Sequence, residues 1–363
     1  MSESSAPEFL EIRVEIGDIT QISADVIALK YARGFHGADL AVSRKLIDAG
    51  EAFSRLQPEV GERVLLAGRG QIAARRVLLI GTPALGDFRY AAIRDFASGA
   101  LRFLARETPE IGSLAMTIHG PGYGLDEGEA LRAQVGGYLD ALAEGTLPPS
   151  LTRISVVEKR EARAFRMWQA LDGLLHERPD IQRAAEGVWT LRVPLRKARA
   201  GATSPLTSGS ATPTPTRGPA QLAGKLSEAR PHAFVAMPFT RQMDDVYYFG
   251  IEAPVHAAGL LCERVDQASF TGHILDQIRE RIETASVVIA DLTGANPNVY
   301  LEVGYAWGKD RPTILLVQDV ADLRFDVKSQ RCLVYDRIID LARLLSNELQ
   351  HLHNRGLLEL PKH

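Results

Sequence analysis

Residues 285–309 read ASVVIADLTGANPNVYLEVGYAWGK, and the reading of this stretch decides the architecture of the half of the chain that holds it. Residues 286–290 form a short apolar run bounded by turn residues, too short for a helix, so they read as a strand buried on both faces of a parallel sheet. Asp291 then falls at the carboxyl end of that strand. The turn Thr293-Gly294-Ala295-Asn296-Pro297-Asn298 supplies two capping residues and a proline suited to a first helical turn, so a helix starts at Asn296 or at Asn298. Residues 299–307 are apolar on almost every side, the pattern of a helix packed inside a domain, and Glu302 breaks that pattern. Glu302 follows Asn298 by one helical turn and leans back toward the helix start and the strand end that carries Asp291. Two carboxylates and two amides are therefore expected in one crevice, of the kind where open α/β sheets bind ligands. The alternative leaves Glu302 compensating the positive helix terminus and Asp291 capping a turn. Because burying an unpaired carboxylate is expensive, the functional alternative weighs more.

On either side of this stretch the pattern continues as strand and helix in turn. Residues 233–236 read as a strand ending in Met237-Pro238-Phe239, residues 243–258 as a helix, and 260–264 as a second strand leading to Asp266. Residues 272–284 form an amphipathic helix with Ile274, Ile278 and Ile282 on one face. Strands at 313–318 and 332–335 and a closing helix at 338–352 complete a flavodoxin-like, doubly wound domain of about five parallel strands. It occupies residues 231–355, and its candidate site residues at strand ends are Met237, Pro238, Phe239, Asp266, Asp291 and Glu302.

The first half alternates in the same way. Strands are expected at 11–16, 26–30, 64–67, 77–80, 114–119 and 154–157, and helices at 38–49, 91–106, 127–143 and 162–175, which makes a mostly parallel, helix-flanked sheet over residues 9–185. Residues 186–195 could add an edge strand. Two glycine-rich loops follow strands and precede helices, one with Gly34, Gly37 and Asp39, the other with Gly120, Gly122, Tyr123 and Gly124. Such loops let backbone N–H groups approach a phosphate, and they are equally the ordinary way to make tight turns. Residues 197–228 shift to Ala, Gly, Ser, Thr and Pro and read as a flexible linker.

With 363 residues, 45% hydrophobic and 24% charged, the chain is long enough for more than one core. A formal net charge of −3 and no basic run with interleaved aromatics disfavour nucleic acid as a partner. The two cysteines each lie in an apolar run, which favours core thiols over a disulfide, and the nine histidines form no pair at ligand spacing, so no metal is expected. No secretory signal precedes Phe9 and no apolar run reaches the roughly 18 residues of a membrane helix, so the expected location is the cytoplasm.

Two resemblances add to this reading. GDITQISADVIALK, the glycine loop with Asp39 before its helix, and HGPGYG before the helix at Glu127 resemble a macro domain, a three-layer α/β/α fold. That resemblance implies that Gly34, Gly37, Asp39, Gly120, Gly122, Tyr123 and Gly124 hold the diphosphate of ADP-ribose or a related nucleotide. VGERVLLAGRGQIAARRVLLIG is also similar to the macro-like amino-terminal domain of leucyl aminopeptidases, which would make the first domain purely structural.

AFVAMPF, ERVD, ADLTGANPNVYLEVGYA and RFDV, within residues 231–337, resemble the nucleoside 2-deoxyribosyltransferases and their TIR-like relatives. The resemblance implies cleavage or transfer across an N-glycosidic bond with Glu302 in the ribose pocket, Asp291 as the near acid, and Met237, Pro238, Phe239, Asp266, Asn296, Asn298 and Tyr305 around the substrate. Asn296 stands where transferases commonly carry an acid. Three functions stay open: hydrolysis of NAD or a related nucleotide, with NAD as substrate and no separate cofactor; deoxyribosyl transfer or base hydrolysis; and a non-catalytic nucleotide-binding signalling module. A homo-oligomer is expected, and by family analogy a place in bacterial stress response or antiviral defence.

Overall fold

The computed structural model describes residues 7–184, 189–195, 223–265 and 274–361. They divide into two units, Met1–Gly120 with Glu127–Glu228, and Pro121–Asp126 with Ala229–His363. Both are α/β.

The first unit is built on an eight-stranded sheet of β1 (Phe9–Ile16), β2 (Val26–Tyr31), β3 (Arg63–Ala67), β4 (Arg76–Gly81), β5 (Ser113–Met116), β6 (Arg153–Glu158), β7 (Gln182–Arg183) and β8 (Thr190–Pro194), in the order β3-β4-β2-β5-β6-β1-β8-β7. Its centre is parallel, and β3, β8 and β7 run antiparallel to their neighbours. The central strand β2 is buried along VIALK, as a parallel strand covered on both faces must be. Helices α1 (Gly37–Asp48), α2 (Tyr90–Glu107), α3 (Glu127–Ala143), α4 (Glu161–Asp172) and the short α5 (Leu174–Glu177) connect the strands. Close packing of α2 on α3 needs Gly137, where a Cβ would lie 2.3 Å from the Arg94 carbonyl oxygen. Arg94, buried between them, makes two hydrogen bonds to Asp140 at 2.6 and 2.8 Å.

The last residues of the expected linker, 223–228, belong to the first unit. Ala223 and Ser227 are buried, Ser227 Oγ donates to Glu129 Oε1 at 2.6 Å, and Arg94 donates to the Ala223 carbonyl, so the chain is held against the first unit from residue 223. The small side chains that read as disorder are the ones that fit beside α2 and α3, and they satisfy buried polar groups there. Residues 197–222 lie outside the described residues.

The second unit contains β9 (His232–Ala236), β10 (Leu261–Glu263), β11 (Val287–Asp291), β12 (Thr313–Val317) and β13 (Cys332–Val334), all parallel, in the order β10-β9-β11-β12-β13. A π-helical segment (Val246–Glu252) leads into α6 (Ala253–Ala257), followed by α7 (Ile274–Thr284), α8 (Pro297–Gly308) and α9 (Ile338–Asn354). Successive residues of β11 serve opposite faces. Val287 and Ile289 pack with Val255, Leu341 and Leu345, whereas Val288 and Ala290 pack with Ile282, Val299 and Val303. Each fully buried Val or Ile contributes about 1.5–3 kcal/mol, so β11 anchors both cores.

Two expectations in this unit are corrected. Residues 243–258 are not one regular helix: the turns before Pro254 widen to π geometry, which accommodates a ring that has no N–H and crowds the carbonyl one turn earlier. Nor is α8 buried all round. Only Val299, Val303 and Ala306 are buried, and Leu301 is 65% exposed, because the sheet reaches a single stripe of the helix. Among the described residues no helix is long and apolar enough to cross a membrane.

Candidate functional site

From β9 the chain goes to β10 on one side and returns to β11 on the other, so the carboxyl ends of β9 and β11 flank the switch point of the sheet. A narrow cleft lies there, lined by Met237 and Phe239 after β9, Val265 after β10, and Asn296, Asn298 and Glu302 of the turn and helix after β11. The turn is shaped by Gly294, whose φ of +73° favours glycine, and whose N–H donates to Asp322 at 2.7 Å. Asn296 is the cap of α8: its backbone is extended and its Oδ1 accepts the Asn298 N–H at 3.0 Å, with Pro297 in the first turn. Glu302 is half-buried in the second turn, where the positive helix terminus favours a carboxylate. Among the described residues it is the one carboxylate that lines this cleft.

Asp291 does not join it, contrary to the expectation of converging acids. Strand alternation puts Asp291 on the face of Val287 and Ile289, whereas α8 packs on the face of Val288 and Ala290. Its carboxylate is fully buried, Oδ1 accepting the Thr293 N–H at 3.0 Å and Oδ2 the Tyr335 hydroxyl at 2.6 Å. Burial pushes its pKa up against the lowering effect of those two donors.

Tyr305 is also elsewhere. Its hydroxyl donates to Glu283 on α7, which Lys309 also contacts at 2.6 Å, so it braces α7 against α8 and does not stack in the cleft. Pro238 links Met237 to Phe239 without lining the cleft. Asp266 lies outside the described residues.

Sequence reasoning overlooked Arg264, the residue between β10 and the cleft wall Val265. Its guanidinium carbon lies 3.9 Å from the Tyr247 ring centroid and 4.7 Å from that of Phe239. The available signal was its place in the ERVD run at a strand end.

The glycine loops divide between the units. Gly34, Gly37, Asp39 and Gly120 belong to the first, and Gly122, Tyr123 and Gly124 to the second, where Gly122 and Tyr123 bridge to Val265. Gly37 opens α1 at φ +54°, with open space where a Cβ would sit. Asp39 does not face that space: it is buried and its Oδ2 meets Lys30 Nζ at 2.5 Å. Burial raises its pKa while Lys30 opposes the rise.

One further cluster was not legible from histidine spacing. Asp126, Glu252 and His256 bring potential ligand atoms within 4.8 Å of one another, a donor set that suits a borderline divalent cation such as zinc. Its polar atoms already serve each other, since Asp126 Oδ2 contacts His256 Nε2 at 2.5 Å and accepts the Cys262 N–H at 2.9 Å.

No family model and no curated protein matches the chain. Among solved structures, the Trypanosoma brucei macrodomain in complex with ADP is 21% identical, over 44% of this chain and 68% of that one, with a TM-score of 0.37. The same macrodomain in complex with ADP-ribose matches at 21% over 45% and 69%, with a TM-score of 0.37. The Oceanobacillus iheyensis macrodomain with ADP is 17% identical over 47% of this chain and 99% of that one, with a TM-score of 0.35. Identities and scores this low carry no argument about what this chain binds. The resemblance read from residues 231–337 finds no support among these comparisons.

Proposed function

We propose that the second unit hydrolyses the N-glycosidic bond of NAD or a related nucleotide, with Glu302 as the group that stabilises the ribosyl cation. The observation that carries this reading is Glu302 itself, a half-buried carboxylate one turn into α8, at the switch-point cleft, beside the amides Asn296 and Asn298. In the reaction the bond from ribose C1′ to the ring nitrogen breaks, and its electron pair goes to nitrogen. Nicotinamide leaves neutral from a cationic ring and needs no proton. Glu302 stabilises or captures the oxocarbenium-like centre, and water then attacks C1′ and releases a proton to solvent. Release of an ordinary purine or pyrimidine calls for a protonated acid beside the base. The sequestration of Asp291 by Tyr335 and Thr293 favours the cationic leaving group over deoxyribosyl transfer.

The first unit is assigned nucleotide binding at the start of α1. The left-handed Gly37 and the open space beside it support this, since a helix start with accessible N–H groups favours an anion. Chromatography of the purified chain incubated with NAD, and separately with deoxynucleosides, tests the catalytic reading. Free nicotinamide from NAD is the expected product. Intact NAD together with base released from deoxynucleosides would replace it with the transferase reading.

A further inference from the structure

Arg264 is half-buried and has an unusual set of neighbours for this protein. Several half-buried or buried arginines are paired with acids, Arg281 with Glu263 at 2.8 Å, Arg94 with Asp140 at 2.6 Å and Arg163 with Glu127 at 2.6 Å, and others such as Arg63 and Arg311 reach backbone carbonyls. Arg264 instead touches the rings of Tyr247 and Phe239, and its Nη1 is 3.6 Å from Met237 Sδ. Among the described residues these are its partners, and no acid pairs with it. Ring contacts hold a guanidinium in place through the π cloud, yet they leave its in-plane N–H donors uncommitted, and a thioether is a weak acceptor. Phe239 and Met237 are themselves walls of the cleft that holds Glu302, so the positioned cation lies against two of those walls, next in sequence to the third wall Val265.

We infer that Arg264 is the anion subsite of this cleft and receives a phosphate of the ligand, which makes the preferred substrates phosphorylated ribosides and not free nucleosides. The inference rests on the reading of the cleft as a ribosyl site. Two features select phosphate. The planar fork of a guanidinium matches two oxygens of a phosphate, and clamping by rings preorganises that fork before the ligand arrives. Glu302 also places negative charge in the same cleft, so a ligand that brings a further anion needs a cation to receive it. Phe239 then has two roles, as a cleft wall and as a support for the guanidinium. Arg264 is a binding and specificity residue, and it takes no part in bond breaking.

The test uses the full-length chain and ligands that cannot be cleaved, ribose 5-phosphate and ribose, with affinities measured by calorimetry for wild type, Arg264→Gln and Arg264→Lys. Wild type should bind the phosphorylated sugar at least tenfold more tightly. Arg264→Gln should lose about 10- to 100-fold for ribose 5-phosphate while leaving ribose unchanged, as expected for one charged hydrogen-bonding partner. Arg264→Lys should recover part of that loss through its charge. Any binding by the first unit is common to all three proteins and cancels in the comparison. Equal wild-type affinity for the two sugars, or a preference that Arg264→Gln leaves undiminished, overturns the inference. A parallel assay follows nicotinamide release from nicotinamide mononucleotide and nicotinamide riboside. Absence of release from both, with the sugar discrimination intact, would defeat the catalytic reading and leave the subsite standing. Release from both at rates that Arg264→Gln does not separate would defeat the subsite alone.

Discussion

Tyr335 donates its hydroxyl to Asp291 Oδ2 at 2.6 Å, closing off an acid that stands at the end of the central strand β11. The bond fixes a buried charge from a strand two positions away in the sheet, and it separates Asp291 from the chemistry assigned to Glu302. The burial of Asp291 sets a pH dependence. Burial raises the folded-state pKa of Asp291 above 3.8, so the folded protein holds that proton more tightly than the unfolded chain. The stability this contributes is fully present below the unfolded pKa and is lost as pH rises through the raised folded value. Melting temperatures of wild type relative to Asp291→Asn should therefore decline as pH is raised from 3.8 toward neutrality. A difference that does not vary with pH would show that Asp291 titrates normally. Tyr335→Phe, which leaves a buried carboxylate oxygen short of a donor, should destabilise by about 1–3 kcal/mol in denaturant titrations.

Glu302→Gln keeps the shape of the side chain and removes its charge. Base release should fall about 100-fold or more, while the melting temperature changes little because the residue is half-buried at a helix start. Unchanged turnover in the variant would transfer the catalytic role to another group.

Gly37 sits at φ +54°, in the left-handed region, where a β-branched residue is strained by about 1–2 kcal/mol. Gly37→Val should relax that backbone and weaken ADP-ribose binding by the full-length chain at least tenfold, measured by calorimetry. A wild-type chain that shows no heat with ADP-ribose would return the first unit to a structural role.

Self-association is expected to close the cleft that holds Glu302. The helix that carries Glu302 also exposes Leu301 at 65% and Trp307 at 38%, apolar surface that a second copy of this chain could cover. Specific activity should rise more steeply than linearly with enzyme concentration, alongside an increase in mass by light scattering. Leu301→Asp should shift both curves to higher concentration. Linear activity from a species of monomer mass would exclude a role for the second copy.

Much of this architecture was written in local patterns. Apolar runs such as VVIAD are too short to be helices and too apolar to be half-exposed strands, so they could be assigned to a parallel sheet without knowing their neighbours. Asn296-Pro297-Asn298 located the helix start to within two residues, since capping depends on groups only a turn apart. Glu302 stood out because a lone carboxylate interrupts an apolar helix. These are all interactions between residues close in sequence, and the chain carries them whatever the rest of the fold does.

What only the tertiary structure decided is which distant partner each of those side chains meets. Their separation along the chain predicts that Asp291 and Glu302 converge, yet alternation along β11 directs Asp291 to the opposite face of the sheet, to Tyr335, 44 positions later. Tyr305 turns to Glu283 on α7, and Arg264 finds the rings of Tyr247 and Phe239 because β10 and β9 are neighbours. Composition assigned residues 223–228 to a flexible linker, but burial against α2 and α3 holds their small side chains in place. Sheet order and face are set by the packing of whole elements, and a side chain at a strand end takes its partner from that packing, so no local pattern encodes the pairing.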